Sequence, residues 1–493
     1  MGTTIELFSG PGGLGLGFHM AGFKTLAAFE YEDDCINTYK ANFPETYVEK
    51  KDLKSFSETD IESLKEFIRN NGSPLIDVVM GGPPCRSFST SNSKREHGDH
   101  RDYLYKSLVY VASQLNAKYF IMENVEDILS KSVEKGNSKK VFHRLLEDLQ
   151  IAGFHYINFK ILKSADYGVP QTRERIIIIA TKDPNLQITY PKPTHYPDRE
   201  PKWISVSEAF EDLPKVTSPS DNERGANQEL LHHVGKNYVC YQYASNPRND
   251  YTRYCRGFES SYGYLPFPWT AYDPNQLSLF IVPEHKERII ERYSLLEEDE
   301  NQGDLVKRLK SQLSEEQFQN LLKRQVIPKK IFVQKNRKLP ANIPARTVTS
   351  HAREELVHPD FNRNLTAREV ARLQGFPDWY KITGDNQKPY KGDPDREIGA
   401  GRDYYQQLGD AVPPLMAAAI AKEVKKNIEH SGHAKNAELR KLLVKYIYSH
   451  NIKIQDVMSK FKINNFELSD ILSGIVEIPT EVIDKISSKI YED

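Results

Sequence analysis

The chain has 493 residues, four cysteines and a formal net charge of −1. That length accommodates two or three domains, and the near-zero charge leaves no whole-chain basic excess, so any nucleic-acid surface must be local. Cys35, Cys85, Cys240 and Cys255 lack paired metal-ligand spacing, which excludes a disulfide scaffold or zinc site and leads us to expect a reducing interior and no metal.

No apolar run approaches membrane-spanning length, and the first residues enter a strand without a signal-peptide pattern. A cytoplasmic protein with no membrane partner is therefore expected. Residues 5–8 read as that first strand, and residues 9–18 as a glycine turn opening a helix. Gly10, Gly12 and Gly15 fit a dinucleotide-type fingerprint, with Glu30 about twenty residues on, where a carboxylate can accept ribose hydroxyls. Tyr31 could cover an adenine face and Asp52 could accept its amino group, although both residue types are ordinary in solvated loops. At this point the pattern says only that a nucleoside-containing cofactor is bound, and a nicotinamide cofactor fits as well as any other.

Residues 75–80 form a short apolar stretch that reads as a buried parallel strand. Gly81, Gly82, Pro83 and Pro84 stop it, and Cys85 follows with Arg86 and Ser87. A thiol at the carboxyl end of a strand lies where open α/β sheets bind ligands, and the neighbouring arginine favours the nucleophilic thiolate. A lone cysteine in such a turn is more often inert. Residues 119–122 lead in the same way into Glu123 and Asn124, a setting that can keep a carboxylic acid protonated and able to donate to a ring nitrogen. Gln171 opens a run to Arg175 that precedes the apolar residues 176–180. Arg173 and Arg175 share one face of the strand start, where a surface ion-pair set with Glu174 is the ordinary reading.

Residues 191–214 are proline-rich and read as a crossing connection, after which residues 215–345 lose the alternation of strand and helix. Residues 246–269 mix arginines with aromatics, most of them expected to be core. Lys329, Lys330, Lys335, Arg337 and Lys338 cluster without many acids and are the better candidates for phosphate contact. Residues 305–322 carry leucines at helical spacing. Residues 413–421 open a helix with prolines at its start and alanines for close packing, expected to return beside the first strand.

The motifs in order, namely residues 8–13, 82–85, 123–125, 171–175, 346–349, 365–377 and 407–414, resemble those of the DNA cytosine-5 methyltransferases. The resemblance covers about residues 4–428 apart from the variable segment, and it is specific because so many motifs occur in sequence. It implies a Rossmann-like α/β sheet with a smaller target recognition domain and a helical C-terminal extension. The expected division is 1–190 for the first part of the catalytic domain, 191–345 for connection and target recognition, 346–430 for the last motifs and return helix, and 431–493 for the extension. The cofactor implied is S-adenosylmethionine, held by Phe8, Ser9, Gly10, Gly12, Gly13, Leu14, Glu30, Tyr31, Asp52, Leu53, Pro83, Asp410 and Ala411. Asp410 and Ala411 stand where the family usually carries Asn-Ser, which changes one polar contact at the pocket.

In the implied reaction Cys85 adds to C6 of a cytosine swung out of duplex DNA, Glu123 and Arg175 hold the ring, and Arg173 assists. Pro84, Arg86, Ser87, Asn124, Gln171, Arg346 and Thr347, with Lys329, Lys330, Lys335 and Arg337, are the implied substrate and DNA contacts. Residues 87–101 resemble the loop that closes over the base. The expected partners are double-stranded DNA, met as a monomer, and a cognate restriction endonuclease or other defence-system protein. Residues 454–472 are similar to a repressor-type helix-turn-helix, but the second helix carries Glu467 and Asp470 and no basic residue, so packing or dimerisation fits it as well as DNA binding. An RNA-directed relative and a catalytically silent DNA-binding regulator are the alternatives. The long segment 215–345 argues against the first, and intact catalytic positions argue against the second.

Overall fold

The computed structural model describes residues 2–72, 75–84, 103–132, 140–221, 227–235, 237–263, 272–332, 334–384, 403–430 and 437–449, with a few positions between 471 and 488. Cys85, Arg86, Ser87 and the rest of the expected closing loop lie outside the described residues, as does nearly all of the segment expected to be a helix-turn-helix.

Seven strands form the central sheet: β1 (Gly2–Leu7), β2 (Phe23–Glu30), β3 (Tyr47–Lys50), β4 (Val78–Gly81), β5 (Tyr119–Asn124), β6 (Tyr156–Lys163) and β7 (Glu174–Thr181). Their order is β3-β2-β1-β4-β5-β7-β6, with β7 antiparallel to both neighbours and the other pairings parallel. Helices lie between the early strands: α1 (Gly13–Met20), α2 (Asp33–Asn42), α3 (Glu58–Asn70), α4 (Tyr105–Gln114) and α5 (Val141–Ile151).

The central strands β4, β5 and β7 read as apolar runs because both faces are covered. Val79, Phe120, Met122, Ile176 and Ile178 face one core with Leu64, Leu108 and Leu145 of the helices. Their neighbours Val78, Met80, Tyr119, Ile121, Ile177 and Ile179 face the other. On that second face lies α14, the return helix; the intervening helices are α6 (Val206–Phe210), α7 (Asp250–Cys255), α8 (Glu287–Ser294), α9 (Gln302–Gln312), α10 (Glu315–Lys323), α11 (Ala352–Glu355), α12 (Ala367–Leu373) and α13 (Tyr404–Asp410), and α14 itself spans Pro414–Glu429. A side chain at Gly17 would strike Ala417, so the glycine in α1 and the alanines in α14 permit one another's approach.

The segment expected to depart from alternation does so. It holds a short three-stranded sheet of β8 (His232–Val234), β9 (Asn237–Val239) and β10 (Ile281–Val282), and a separate small core of Tyr293, Leu296, Leu305, Leu309 and Phe318. The leucine-spaced stretch is two helices, since Leu313 turns extended and Ser314 caps α10 through a reciprocal bond set with Gln317. A two-stranded parallel pair, β11 (Arg337–Lys338) and β12 (Leu356–Val357), leads back towards the sheet.

The described part of the C-terminal extension is joined to the large core. Helix α15 (Ala437–Ser449) sends Leu439, Leu443 and Tyr446 into the face that holds Tyr156 and Ile188. Arg440 is fully buried, donates to the carbonyls of Pro184, Leu186 and Leu472, and lies 4.4 Å from the centre of the Tyr156 ring. Burial lowers its pKa to about 10. Arg440→Ala leaves those carbonyls without a donor, and we expect it to cost roughly 3 kcal/mol of stability, read by urea unfolding. A change below about 0.5 kcal/mol, the range of ordinary surface substitutions, would show that α15 contributes nothing to the core. Among the described residues no helix is long and apolar enough to cross a membrane.

Candidate active site

The site forms where β1, β4 and β5 end. Past β1 the backbone enters the left-handed region at Gly10 (φ 54°) and Gly12 (φ 91°), which glycine adopts without strain. The turn is closed by Gly12 N–H donating to the Ser9 carbonyl at 3.0 Å. A side chain at Gly12 would meet the Tyr380 hydroxyl at 2.6 Å, and one at Gly13 would strike the Val412 carbonyl. Glu30, at the end of β2, folds back on this turn: its carboxylate accepts from the N–H groups of Gly10 (2.7 Å), Tyr31 (2.7 Å) and Glu32 (3.1 Å). Tyr31 is exposed, Leu53 is buried, and Asp52 caps the turn after β3 by accepting from Lys54 N–H at 3.1 Å.

A cavity opens beside the turn. Phe8, Ser9, Gly10 and Leu14 line one side, Gly82 and Glu123 another, and Asp410, Ala411 and Val412 a third. The Ser9 hydroxyl is buried there with no hydrogen-bond partner among the described residues. Turn glycines without side chains, an orphaned hydroxyl and a carboxylate at the end of β2 make a polar cradle of the kind an adenosyl group with an amino-acid arm requires.

Glu6, which by sequence is only one residue of the first strand, also lines this cavity. Its carboxyl is buried in β1, accepting from Tyr39 Oη–H at 2.7 Å and from Gly15 N–H at 3.2 Å. Burial pushes its pKa up to about 8, with the charge of Glu30 adding and the two hydrogen bonds opposing. A single acid within the run Ile5-Glu6-Leu7 was the available signal, because an acid in a doubly covered strand needs a reason.

Glu123, at the carboxyl end of β5, is nearly buried, and Arg175 Nε lies 3.0 Å from its Oε1. Topology produces the pair. Strand β7 runs antiparallel to β5, so its beginning lies against the end of β5, with Asn124 opposite Ile176. Next to it Asn124 Nδ2 donates to the Pro83 carbonyl at 3.2 Å, fixing the chain two residues before Cys85. Pro84 precedes it directly.

Arg173 and Gln171 are placed elsewhere. Arg173 is buried and donates to the carbonyls of Val348 (2.8 Å) and Gly409 (3.1 Å). Gln171, fully buried, accepts from Val348 N–H at 3.0 Å and donates to the Leu373 carbonyl at 2.8 Å and to Gln374. Both tie the later motifs to the start of β7, and neither side chain faces an open surface. The two arginines expected to act alike therefore have different partners.

The basic cluster is partly neutralised by acids distant in sequence. Arg337 and Arg346 share Asp299, at 3.1 and 2.9 Å, and Lys335 pairs with Glu354. Lys329 and Lys330 are exposed, and Thr347 is half-buried beside Arg346. Among the aromatics of 246–263, Tyr251 and Tyr254 are core, as expected, and Arg256 is buried against Asp212 at 3.5 Å.

Comparison with known proteins agrees with this architecture. The family described as C-5 cytosine-specific DNA methylase matches residues 2–426. The chain is 29% identical to the type II methyltransferase M1.HphI of Haemophilus parahaemolyticus, over 86% of this chain and 87% of that one. It is 29% identical to M.DdeI of Desulfomicrobium norvegicum, over 86% and 88%. A crystal structure from an E. coli prophage, described as a DNA modification methyltransferase, superposes with a TM-score of 0.60 at 23% identity, over 87% of this chain and all of that one, and shows the same fold. With the family matched across nearly the whole sheet, its return helix and the segment between, the chain belongs to the C-5 cytosine-specific DNA methylases and is an enzyme of that class.

Proposed function

We propose that the protein transfers a methyl group from S-adenosylmethionine to C5 of a cytosine flipped out of duplex DNA, at a specific sequence, in a restriction-modification or related defence system. The observation that carries this reading is the Glu123–Arg175 pair at 3.0 Å, next to the glycine turn and to the chain that leads into Cys85. When bound, the cofactor supplies an electrophilic methyl group on a sulfonium.

The protein's part begins with Cys85. Its thiolate adds to C6, forming a C–S bond and moving the ring's electron pair towards C5, which is otherwise a poor nucleophile. Glu123 is positioned for the ring N3 and exocyclic amine, and Arg175 for O2, where negative charge gathers. After C5 has taken the methyl group, loss of the C5 proton drives out the Cys85 thiolate and restores the aromatic ring. The target carbon is inaccessible in a stacked base pair, so the base must leave the helix first. Glu30 suits the ribose, Tyr31 and Asp52 the adenine, and Asp410 and Ala411 the amino-acid end. Arg173 and Gln171 act as positioning residues. Lys329 and Lys330 are the phosphate contacts with the best exposure, and the enzyme works on DNA as a monomer in the cytoplasm of a prokaryotic or phage-infected cell.

Incubation with methyl-tritiated S-adenosylmethionine and duplex DNA should label cytosine C5. Bisulfite sequencing of DNA from cells expressing the protein should then show one protected sequence context. Label confined to RNA, or absent from both, would refute the reading.

A further inference from the structure

Glycine lets the turn after β1 adopt its shape and by the same property leaves it loose, so the turn needs an outside hold. Tyr380, which the mechanism does not use, supplies one. Its ring is buried against Phe376 and Phe43, and its hydroxyl donates to the carbonyl of Pro11, a residue of the cavity wall, at 2.5 Å. A peptide unit is planar, so holding the Pro11 carbonyl also sets the direction of the Gly12 N–H, which closes the turn onto Ser9. The hydroxyl can come this close because Gly12 has no side chain.

The residues that follow Tyr380 are clamped from two sides. Asn42 of α2 pairs with Lys381 as one peptide pairs with another: its Oδ1 accepts from the Lys381 N–H at 2.9 Å, and its Nδ2 donates to the Lys381 carbonyl at 2.7 Å. Thr383 N–H donates to the Thr38 hydroxyl at 2.9 Å, and that hydroxyl donates to Gln407 of α13 at 2.7 Å. Gln407 in turn donates to the Thr383 carbonyl at 2.6 Å. Three buried side chains thus serve four backbone groups of one short segment, next to the tyrosine it carries. Helix α2 starts just after Glu30 and Tyr31, and α13 ends at Asp410, so the clamp joins separate parts of the proposed cradle.

We propose that Tyr380 is a positioning residue for the cofactor, its hydroxyl holding the Pro11–Gly12 peptide in the shape the cofactor meets, with residues 381–383 clamped to keep it there. The inference rests on the cofactor reading above and adds a support to it. A turn already held in its binding shape loses less freedom when the cofactor enters, and it binds more tightly for that reason. The described cavity wall includes Pro11 but not Tyr380, so the effect falls on cofactor binding rather than on the chemical step.

Tyr380→Phe keeps the ring and removes only the hydroxyl. Equilibrium dialysis of the full-length protein with labelled S-adenosylmethionine should show a Kd about tenfold higher, the scale of one hydrogen bond lost from a buried carbonyl. KM for the cofactor should rise with it, while KM for DNA and kcat at saturating cofactor stay within about twofold of wild type. Asn42→Ala frees the Lys381 backbone and should raise the same Kd about threefold, which keeps the test available if Tyr380→Phe does not fold. In the double variant the two effects should multiply to less than their product, because both act through the Pro11 carbonyl. An unchanged Kd in either variant, equal rises in KM for cofactor and DNA, or full multiplication in the double variant would overturn the inference. Such results with cofactor binding intact in wild type remove this inference alone, whereas a folded wild type that binds no S-adenosylmethionine removes the reading beneath it as well.

Discussion

Cys85→Ser is expected to lower methyl transfer by on the order of a thousandfold or more while cofactor binding persists. A serine alkoxide is not available near neutral pH without strong activation, whereas a cysteine thiol, with an ordinary pKa of about 8.5, supplies the nucleophilic anion far more readily. The proposed cofactor cradle comes from the turn after β1, from Glu30 and from residues 410–412, so it does not depend on the sulfur. DNA carrying 5-fluorocytosine at the target base should trap wild type covalently, because fluorine cannot leave C5 as the proton does, and the C6–S bond persists. Denaturing gels should show that adduct with wild type and none with Cys85→Ser. Glu123→Gln should trap slowly, since a neutral amide leaves Arg175 without its carboxylate at 3.0 Å and alters the donors met by the ring. A Cys85→Ser enzyme with ordinary turnover, or no adduct with wild type, would end the covalent reading.

Arg372→Leu is the second change with a large expected effect, on stability and DNA recognition. Arg372 is fully buried in α12 and binds acids from two segments: Asp212 at 2.5 Å, and both oxygens of Asp378 at 3.1 and 2.7 Å. Asp378 also accepts from the Tyr243 hydroxyl at 2.8 Å and lies 3.3 Å from Arg368. Burial alone would raise the Asp378 pKa, yet Arg372 and Arg368 hold it below the ordinary carboxylate value. Removing Arg372 leaves two carboxylates buried with fewer counter-charges, which costs about 3–5 kcal/mol.

Because the cluster ties the connection after α6 and the region around Tyr243 to α12, loosening it should raise KM for DNA more than the Kd for the cofactor. Urea unfolding and the two binding curves test both parts. Asp378→Leu together with Arg372→Leu should cost less than the sum of the single changes, since they share partners. Strict additivity, or a loss in cofactor affinity as large as the loss for DNA, would contradict this account. The contribution of Asp378 is present above its unfolded pKa and is lost as pH falls through the depressed folded value, so wild type should lose it only under strong acid.

Sequence alone determined a good deal here. Unbroken apolar runs ending in glycine, proline and a few polar groups specified an α/β sheet with chemistry at its strand ends, because only a strand covered on both faces needs such a run. The glycine turn, Glu30 and the alanine-rich return helix were legible for the same local reasons. What required tertiary structure was every feature set by contacts between distant segments. Arg173 and Arg175 are two residues apart, yet the antiparallel course of β7 gives Arg175 to Glu123 while Arg173 meets the carbonyls of residues 348 and 409. Lys335 and Arg337 looked free of acids because Glu354 and Asp299 reach them only through folding. Glu6 looked like an ordinary strand residue until folding buried it on the cavity wall and raised its pKa, since desolvation and partner charge are properties of a place in space rather than of a position in the chain.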